Sequence, residues 1–291
     1  MSFQVSQWPR PDDLARYHKQ LGVPAEAIIR DIVRTVSVAQ LVHDGVLDED
    51  WVLSGGMGMR LRGSSRFTMS DTDTSRRGGA PDRDELAEAL TVDQEELLVT
   101  PVDATLWKPG KQLVSAHPID YEAFFADVGS GPIVDAFKFT VSWRGLFEPP
   151  DKLAILHPYP ELIFPQTVVP VMNLTEQAAE KIVAWCAHGL IKHYVDVAWI
   201  FHSQPDHVDT LTLPGLIERK LGIGRALFPA QYAAFSDLKS IFAPLYYPDR
   251  HHPPLGDSDD GAKQIQFAGA GLNKQQAIAL IREKALPAIF G

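Results

Sequence analysis

The chain has 291 residues, one cysteine (Cys186) and a formal net charge of −10. A single cysteine excludes a disulfide framework within the chain and favours a reducing compartment. The acidic charge argues against a protein that coats long nucleic acids, although it does not exclude a local basic groove. Residues 1–11 lack the apolar segment of a signal peptide, and no run of about 18 apolar residues predicts a membrane span. We therefore expect a soluble cytoplasmic protein.

The first half of the chain predicts an α/β arrangement. Apolar residues recur at helical spacing over residues 25–43, which predicts a helix with one face in a core. Trp51–Ser54 is a short apolar run typical of a buried strand, and Gly55-Gly56 with residues 57–61 predicts a turn and a short helix. The further predicted elements are a strand over 67–74, a loop over 78–82, a crossover helix over 84–90, and neighbouring strands over 137–143 and 153–156.

The second half of the chain is mainly helical in pattern. Asn173 with Glu176 three residues later is a capping-box arrangement, which predicts the start of a helix. Other helices are predicted over 194–201, 214–221, 231–241 and 274–286, with an exposed loop over 247–261. We therefore expect a core domain with N-terminal helices over residues 1–165 and a helical C-terminal domain over 166–291.

Two acidic residues on one predicted strand are the main candidates for chemistry. Asp71 and Asp73 lie two residues apart, and side chains two apart in a strand point to the same face. Two carboxylates this close repel each other unless a cation or a proton lies between them. Mg²⁺ suits such a site because it binds carboxylate and phosphate oxygens together. The spacing alone is weak evidence for a metal site, since an Asp-x-Asp in a loop is usually solvated surface.

The glycine pair ahead of these acids strengthens the metal-site hypothesis. Gly55 and Gly56 would let the backbone approach a ligand closely, and the helix that follows would offer N–H groups to a triphosphate. Arg60, Arg62 and Arg66 lie between the glycines and the acids. Arginine pairs well with phosphate, although some of these side chains would be surface charges.

The segments Leu53–Arg62 and Arg66–Asp73 resemble the signature of the AbiEii/AbiGii (MenT-like) nucleotidyltransferase toxin family. That family usually has Gly-Gly, a short helix and then Arg-Phe-Ser/Thr-x-Asp-x-Asp. Two further matches follow in the right order: Glu180–Ala184 resembles the Glu/Gln-Lys-Leu-x-Ala helix, and His193–Val197 resembles the Arg/His-Asp-x-x-Asp-Leu segment. The matches cover roughly residues 25–201, and the last part of the chain resembles nothing that we can specify.

The resemblance implies an α/β (α+β) nucleotidyltransferase fold, with a polymerase-β-like mixed-sheet core and a helical C-terminal domain. It implies a toxin of a bacterial toxin–antitoxin or abortive-infection system, with a separate cognate antitoxin. Several such toxins add nucleotides from an NTP to the 3′ end of tRNA and so stop translation.

By residue match, Asp71 and Asp73 would hold Mg²⁺, Lys181 would contact the nucleotide phosphates, and Asp196 would orient Lys181 or support the site. Gly55, Gly56 and Arg66 are the other expected phosphate contacts. The position of Lys181 at the edge of an apolar helix face agrees with this role. The alternatives are a lysine that snorkels to the surface, and a capping or salt-bridge role for Asp196.

One departure from the fold concerns the third carboxylate that commonly lies on a neighbouring strand. Residues 152–157 occupy the place where we would look for it, and His157 stands near the expected position. Glu161 and Asp135 are nearby candidates. His157 could bind metal, act as a base or be inert, so the number of metal ions stays open.

Three functions are therefore considered. The first is an enzyme that binds an NTP with Mg²⁺ and transfers a nucleoside monophosphate to RNA, above all to the tRNA 3′ end. The second is a nucleotide-binding or partner-binding module with little catalysis. The third is a nucleotidyltransferase acting on a protein or small-molecule hydroxyl, which the acidic charge favours over bulk RNA.

Overall fold

The computed structural model describes residues 3–68, 71–79, 92–94, 97–108, 111–118, 137–143, 145–251, 265–267 and 271–291. The chain divides into two compact units. The first is Met1–Met172 with residues 266–269, and the second is Asn173–Ile265 with residues 270–291. The sequence places the division near residue 165, whereas residues 168–171 form a strand of the first unit's sheet, so this unit ends at Met172.

The first unit combines a mixed sheet with three described helices. The helices are α1 (Pro11–Leu21), α2 (Ala25–His43) and α3 (Gly55–Leu61). The strands are β1 (Trp51–Ser54), β2 (Arg66–Thr68), β3 (Asp71–Arg76), β4 (Val92–Gln94), β5 (Leu97–Lys108), β6 (Lys111–Pro118), β7 (Phe137–Ser142), β8 (Asp151–Ala154) and β9 (Val168–Val171). A tenth strand, β10 (Ile265–Phe267), pairs with β2 in a separate two-stranded sheet.

The main sheet places β3 among its inner strands. Its order over the described residues is β4-β5-β6-β7-β3-β1-β9-β8. Strand β3 runs antiparallel to β1 and parallel to β7, and β1 runs parallel to β9. Both predicted acids therefore lie on a strand that has a hydrogen-bonded neighbour on each side.

Helix α2 organises the core of the first unit because it buries two faces. Its N-terminal half, including Ile28 and Ile32, packs with α1 and with Tyr159. Its C-terminal half, through Val38 and Leu41, packs on the sheet strands β1, β7 and β9. Each fully buried aliphatic side chain of this kind contributes about 1.5–3 kcal/mol. The sheet that carries β3 is thus fixed from one side by a helix whose pattern the sequence predicts.

The prediction that the strand over 153–156 neighbours the strand over 137–143 is wrong. Strand β8 spans Asp151–Ala154, lies at an edge of the described sheet and pairs antiparallel with β9, so that β3, β1 and β9 separate it from β7. Strand β9 contains Pro170, and a proline within a short apolar run argues against a strand, which explains why β9 was not predicted. The predicted strand over 67–74 is two strands, β2 and β3. The predicted crossover helix over 84–90 and most of the loop over 78–82 lie outside the described residues.

The second unit is helical. Its long helices are α4 (Leu174–His188), α5 (Ile191–Ser203) and α6 (Leu213–Leu227). Short helices follow: α7 (Pro229–Tyr232), α8 (Phe242–Tyr246), α9 (Pro248–His251), α10 (Lys274–Leu280) and α11 (Leu286–Phe290), with a π-helical turn over Ile281–Ala285 and 3₁₀ turns over Pro205–His207 and Leu238–Ile241. No helix among the residues described here is long and apolar enough to cross a membrane.

Two details of the second unit differ from the sequence expectation. Residues 231–241 do not form one helix, because Asp237 caps a separate 3₁₀ turn by accepting a hydrogen bond from the Ser240 N–H at 2.9 Å. The predicted loop over 247–261 contains α9, and residues 252–261 lie outside the described part of the chain. Asn173 caps α4 as expected, accepting from the Thr175 N–H at 2.9 Å.

The core of the second unit contains aromatic and charged side chains as well as aliphatic ones. The rings of Trp185 and Tyr194 lie 4.7 Å apart, and the Tyr194 hydroxyl donates to the Leu245 carbonyl at 2.9 Å. Glu176 of α4 is fully buried and forms an ion pair with Lys220 of α6 at 2.9 Å. The chain's single thiol, Cys186, is buried in α4, and this burial raises its pKa.

Candidate active site

Asp73 lies on an inner strand of the main sheet. Its register partners are Ser54 of β1 and Thr140 of β7, and its side chain is half-buried. Asp71 occupies the position two residues earlier on β3, opposite Lys138. The side chain of Asp71 lies outside the described side chains, so the shared face of the two carboxylates stays a prediction from strand alternation.

A hydrogen-bond chain holds Asp73 from the β7 side. The Thr140 hydroxyl donates to Asp73 Oδ1 at 2.5 Å. The Thr140 carbonyl accepts from the Thr74 hydroxyl at 3.0 Å, and Thr74 Oγ1 accepts from Trp51 Nε1 at 2.8 Å. The sequence does not identify Thr140 as a functional residue. The alternating pattern of its strand is visible in the sequence, but the contact with Asp73 depends on which strands are neighbours in the sheet.

Gly55 meets Asp73 from the β1 side. Its φ of +63° lies in the left-handed region, and an added Cβ would stand 2.3 Å from Asp73 Oδ2 and 2.6 Å from Asp73 Cβ. The left-handed φ and the lack of space for a Cβ each favour glycine. Together they mean that any other residue at position 55 would require β3 to move. Gly56 follows in α3 and is buried. The glycine turn and the second acid are therefore packed against each other.

The three arginines between these features have different surroundings. Arg60 forms an ion pair with Asp31 of α2, and the Tyr159 hydroxyl donates to the same carboxylate at 2.6 Å. Arg62 Nη2 contacts Asp151 Oδ2 at 2.5 Å and donates to the Met172 carbonyl at 2.9 Å. Both therefore anchor α3 within the first unit. Arg66 lies in β2, and its side chain is outside those described.

Two of the three candidates for a third metal ligand, His157 and Glu161, have other contacts. The His157 ring stacks on Tyr159 with centroids 5.9 Å apart, and burial followed by the positive charge of Arg60 lowers the pKa of this imidazole. Glu161 accepts hydrogen bonds from Arg16 and Tyr17. Asp135 lies outside the described residues. Among the described side chains no group of three His, Cys, Asp or Glu residues forms a metal cluster.

The donor atoms that are present fit Mg²⁺. Asp73 provides carboxylate oxygens at a half-buried position, packed against Gly55. Hard oxygen donors of this kind suit a magnesium ion that takes further ligands from phosphate and water. Asp71 and Asp73 are the residues that would hold it.

Lys181 and Asp196 lie in the second unit and contact each other. Lys181 Nζ of α4 stands 2.7 Å from Asp196 Oδ2 of α5, and the two residues are 7% and 2% exposed. Such a buried pair is stable only when each charge keeps its partner. The structure thus brings together the two residues that the resemblance pairs, while their role toward a nucleotide stays a prediction.

The sequence also matches a known family over most of these elements. The family model for the AbiEii nucleotidyl transferase toxin of type IV toxin–antitoxin systems matches residues 39–240, which is more than half of the chain. The chain belongs to the AbiEii nucleotidyltransferase toxin family. Membership implies an NTP substrate and a cognate antitoxin. The matched range contains both acids, both glycines and the Lys181–Asp196 pair.

A solved structure shows that this AbiEii protein has the nucleotidyltransferase fold. MenT4, a nucleotidyltransferase toxin from Mycobacterium tuberculosis H37Rv, is 17% identical with a TM-score of 0.67, and the match covers 97% of this chain and 89% of MenT4. JHP933 from Helicobacter pylori is 13% identical over 96% of this chain and 97% of its own, but its TM-score of 0.39 is too low to support an inference. No curated protein matches the sequence.

Proposed function

We propose that this AbiEii protein transfers a nucleoside monophosphate from an NTP to an RNA hydroxyl, that of the tRNA 3′ end, with Mg²⁺. The observation that supports this most is the fixed position of Asp73, whose carboxylate lies between the Gly55 backbone and the Thr140 hydroxyl. A carboxylate held in this way needs little reorganisation when charge develops on a nearby phosphate.

The proposed roles follow from the chemistry of phosphoryl transfer. Bound Mg²⁺ would neutralise charge on the triphosphate and on the departing pyrophosphate. Asp71 and Asp73 would hold the cation, Gly55 lets β3 bring Asp73 close to the start of α3, and Gly56 is the glycine proposed to let phosphate oxygens approach the backbone. Positioning and charge neutralisation then lower the barrier, because phosphoryl transfer requires no covalent intermediate on the protein.

Lys181 is the proposed cationic contact for the nucleotide phosphates. Its ammonium group pairs with Asp196 at 2.7 Å, which limits the rotamers of the lysine side chain. Asp196 therefore acts through Lys181 as a positioning residue. Arg66 is a further phosphate contact by residue match alone.

A transfer assay tests the proposal. Purified protein is incubated with each labelled NTP, Mg²⁺ and total tRNA, and Asp73→Asn is the matched variant. We expect label on tRNA, reduced by about 10²–10³-fold in the variant, since a group that stabilises transition-state charge is lost. Periodate-oxidised tRNA, which lacks a free 3′ diol, should accept none.

Other outcomes would contradict the proposal in defined ways. Label that appears on protein without tRNA would assign the activity to a protein hydroxyl, an acceptor that the net charge of −10 favours over RNA. Nucleotide binding without transfer to any acceptor would leave a binding module.

A further inference from the structure

Thr140 lies next to Asp73 on the neighbouring strand β7. In the parallel pair β3–β7, Asp73 and Thr140 are register partners. Resting on the function proposed above, we propose that Thr140 is a positioning residue: its hydroxyl fixes the Asp73 carboxylate for cation binding.

The hydroxyl of Thr140 has a single proton, and the geometry commits it to Asp73. The Thr140 Oγ1 to Asp73 Oδ1 distance is 2.5 Å, in the range of charge-assisted hydrogen bonds. Thr140 is 2% exposed, so water does not compete for this proton. Its β-branched side chain also has few χ1 rotamers, which keeps the donor aimed.

The strand that carries Thr140 is itself held in place. The Thr140 carbonyl accepts a hydrogen bond from the Thr74 hydroxyl at 3.0 Å, and the indole N–H of Trp51 donates to Thr74 Oγ1 at 2.8 Å. Three neighbouring strands, β1, β3 and β7, are thereby linked by side-chain hydrogen bonds. The donor to Asp73 is consequently part of a rigid layer of the sheet.

The opposite side of the carboxylate is closed by the Gly55 backbone. The carboxylate lies so close to this backbone that a Cβ at Gly55 would stand 2.3 Å from Asp73 Oδ2, which leaves it little room to move toward β1. With Thr140 on Oδ1 and Gly55 beside Oδ2, Asp73 has one orientation. The neutral hydroxyl of Thr140 adds no negative charge at its own position, so tight cation binding should draw on the phosphates of the nucleotide.

The test measures Mn²⁺ binding by electron paramagnetic resonance, with and without a non-hydrolysable NTP analogue. Wild type is compared with Thr140→Val, which removes the hydroxyl at equal size, Thr140→Ser, which retains it, and Asp73→Asn. We expect Thr140→Val to weaken Mn²⁺ binding in the presence of the analogue about tenfold, the effect of losing a hydrogen bond to a charged group. Thr140→Ser should bind within about twofold of wild type.

Each alternative result has a distinct meaning. Wild-type affinity in Thr140→Val would overturn the inference, and so would equal losses in Val and Ser variants, since the methyl group would then matter rather than the hydroxyl. Thermal melts show whether each variant folds. If wild type and Asp73→Asn both fail to bind Mn²⁺ with the analogue, the proposed function itself is overturned, whatever Thr140 does.

Discussion

At the scale of single residues, Gly55 is under two independent constraints. Its backbone has a left-handed φ of +63°, and the space where a Cβ would stand is filled by Asp73. Gly63, just beyond α3, has a φ of +90° but nothing within 4 Å of its added Cβ. Substitutions at both glycines would strain the backbone, but only a substitution at Gly55 would also collide with Asp73.

Replacing each of these glycines by alanine tests that distinction. Both Gly55→Ala and Gly63→Ala should lose about 1 kcal/mol of stability from the φ constraint. Gly55→Ala should in addition displace Asp73 and lower transfer or Mn²⁺ binding by at least about tenfold, as expected when a reacting group is misplaced. Equal activity of the two variants, measured beside their thermal melts, would show that the contact with Asp73 has no functional weight.

The Lys181–Asp196 pair can be tested separately for stability and for function. Lys181→Met or Asp196→Asn alone should cost about 3–5 kcal/mol, because each leaves a buried charge without its partner. The double variant Lys181→Met/Asp196→Leu should recover most of that loss in urea unfolding. If Lys181 contacts phosphates, the double variant stays inactive despite its stability; recovered transfer would make the pair structural only.

At the scale of elements, α3 depends on anchors that lie after its glycines. Arg62 reaches Asp151 of β8 and the Met172 carbonyl after β9, while Arg60 reaches Asp31 of α2. A seven-residue helix has little stability alone, so these contacts determine where the glycine turn lies.

Removal of one anchor should therefore loosen the turn. Arg62→Met should lower the free energy of unfolding by about 1–3 kcal/mol, because it removes the hydrogen bond to the carbonyl of the buried Met172 and the contact with Asp151. The matched control is Lys152→Met, since the Lys152–Glu49 pair on the same region is 64% and 71% exposed. That exposed pair should contribute less than about 1 kcal/mol in the same urea titration.

Elements with a local signal could be predicted from the sequence, and pairings between distant elements could not. The order of β1, the glycine turn, α3 and β3 follows from apolar runs and glycines within one short stretch, and so does the closeness of Gly55 to Asp73. The pairing of β3 with β7 joins residues far apart in the chain, so Thr140 carried no local signal. The wrong neighbour for β8 has the same cause, since β9 contains a proline and was not recognised.

At the scale of the whole molecule, folding makes the first unit sensitive to acid through His157. Burial and the charge of Arg60 lower the pKa of this imidazole from its ordinary 6.5. The unfolded chain then binds the proton more readily than the folded one. The stabilising contribution is complete above pH 6.5 and is lost as the pH falls from there toward the lowered folded value.

Substitution of His157 should make the free energy of unfolding less dependent on pH below neutrality. The difference in unfolding free energy between pH 7.5 and about pH 5.5 should be smaller in His157→Phe than in wild type, because the linked proton is gone. His202→Asn, which changes an exposed histidine, should leave the difference unchanged. An identical pH dependence in His157→Phe would refute the assignment.

Because Cys186 is buried, the rate at which its thiol reacts reports how often the second unit opens. Because burial raises its pKa and the sequence has no other cysteine, a thiol-specific dye should label the native protein only after α4 is exposed. Labelling rates should therefore rise with urea along the unfolding transition. A cognate antitoxin that binds the folded toxin would slow the same labelling reaction. The labelling rate would then measure complex formation without any nucleotide.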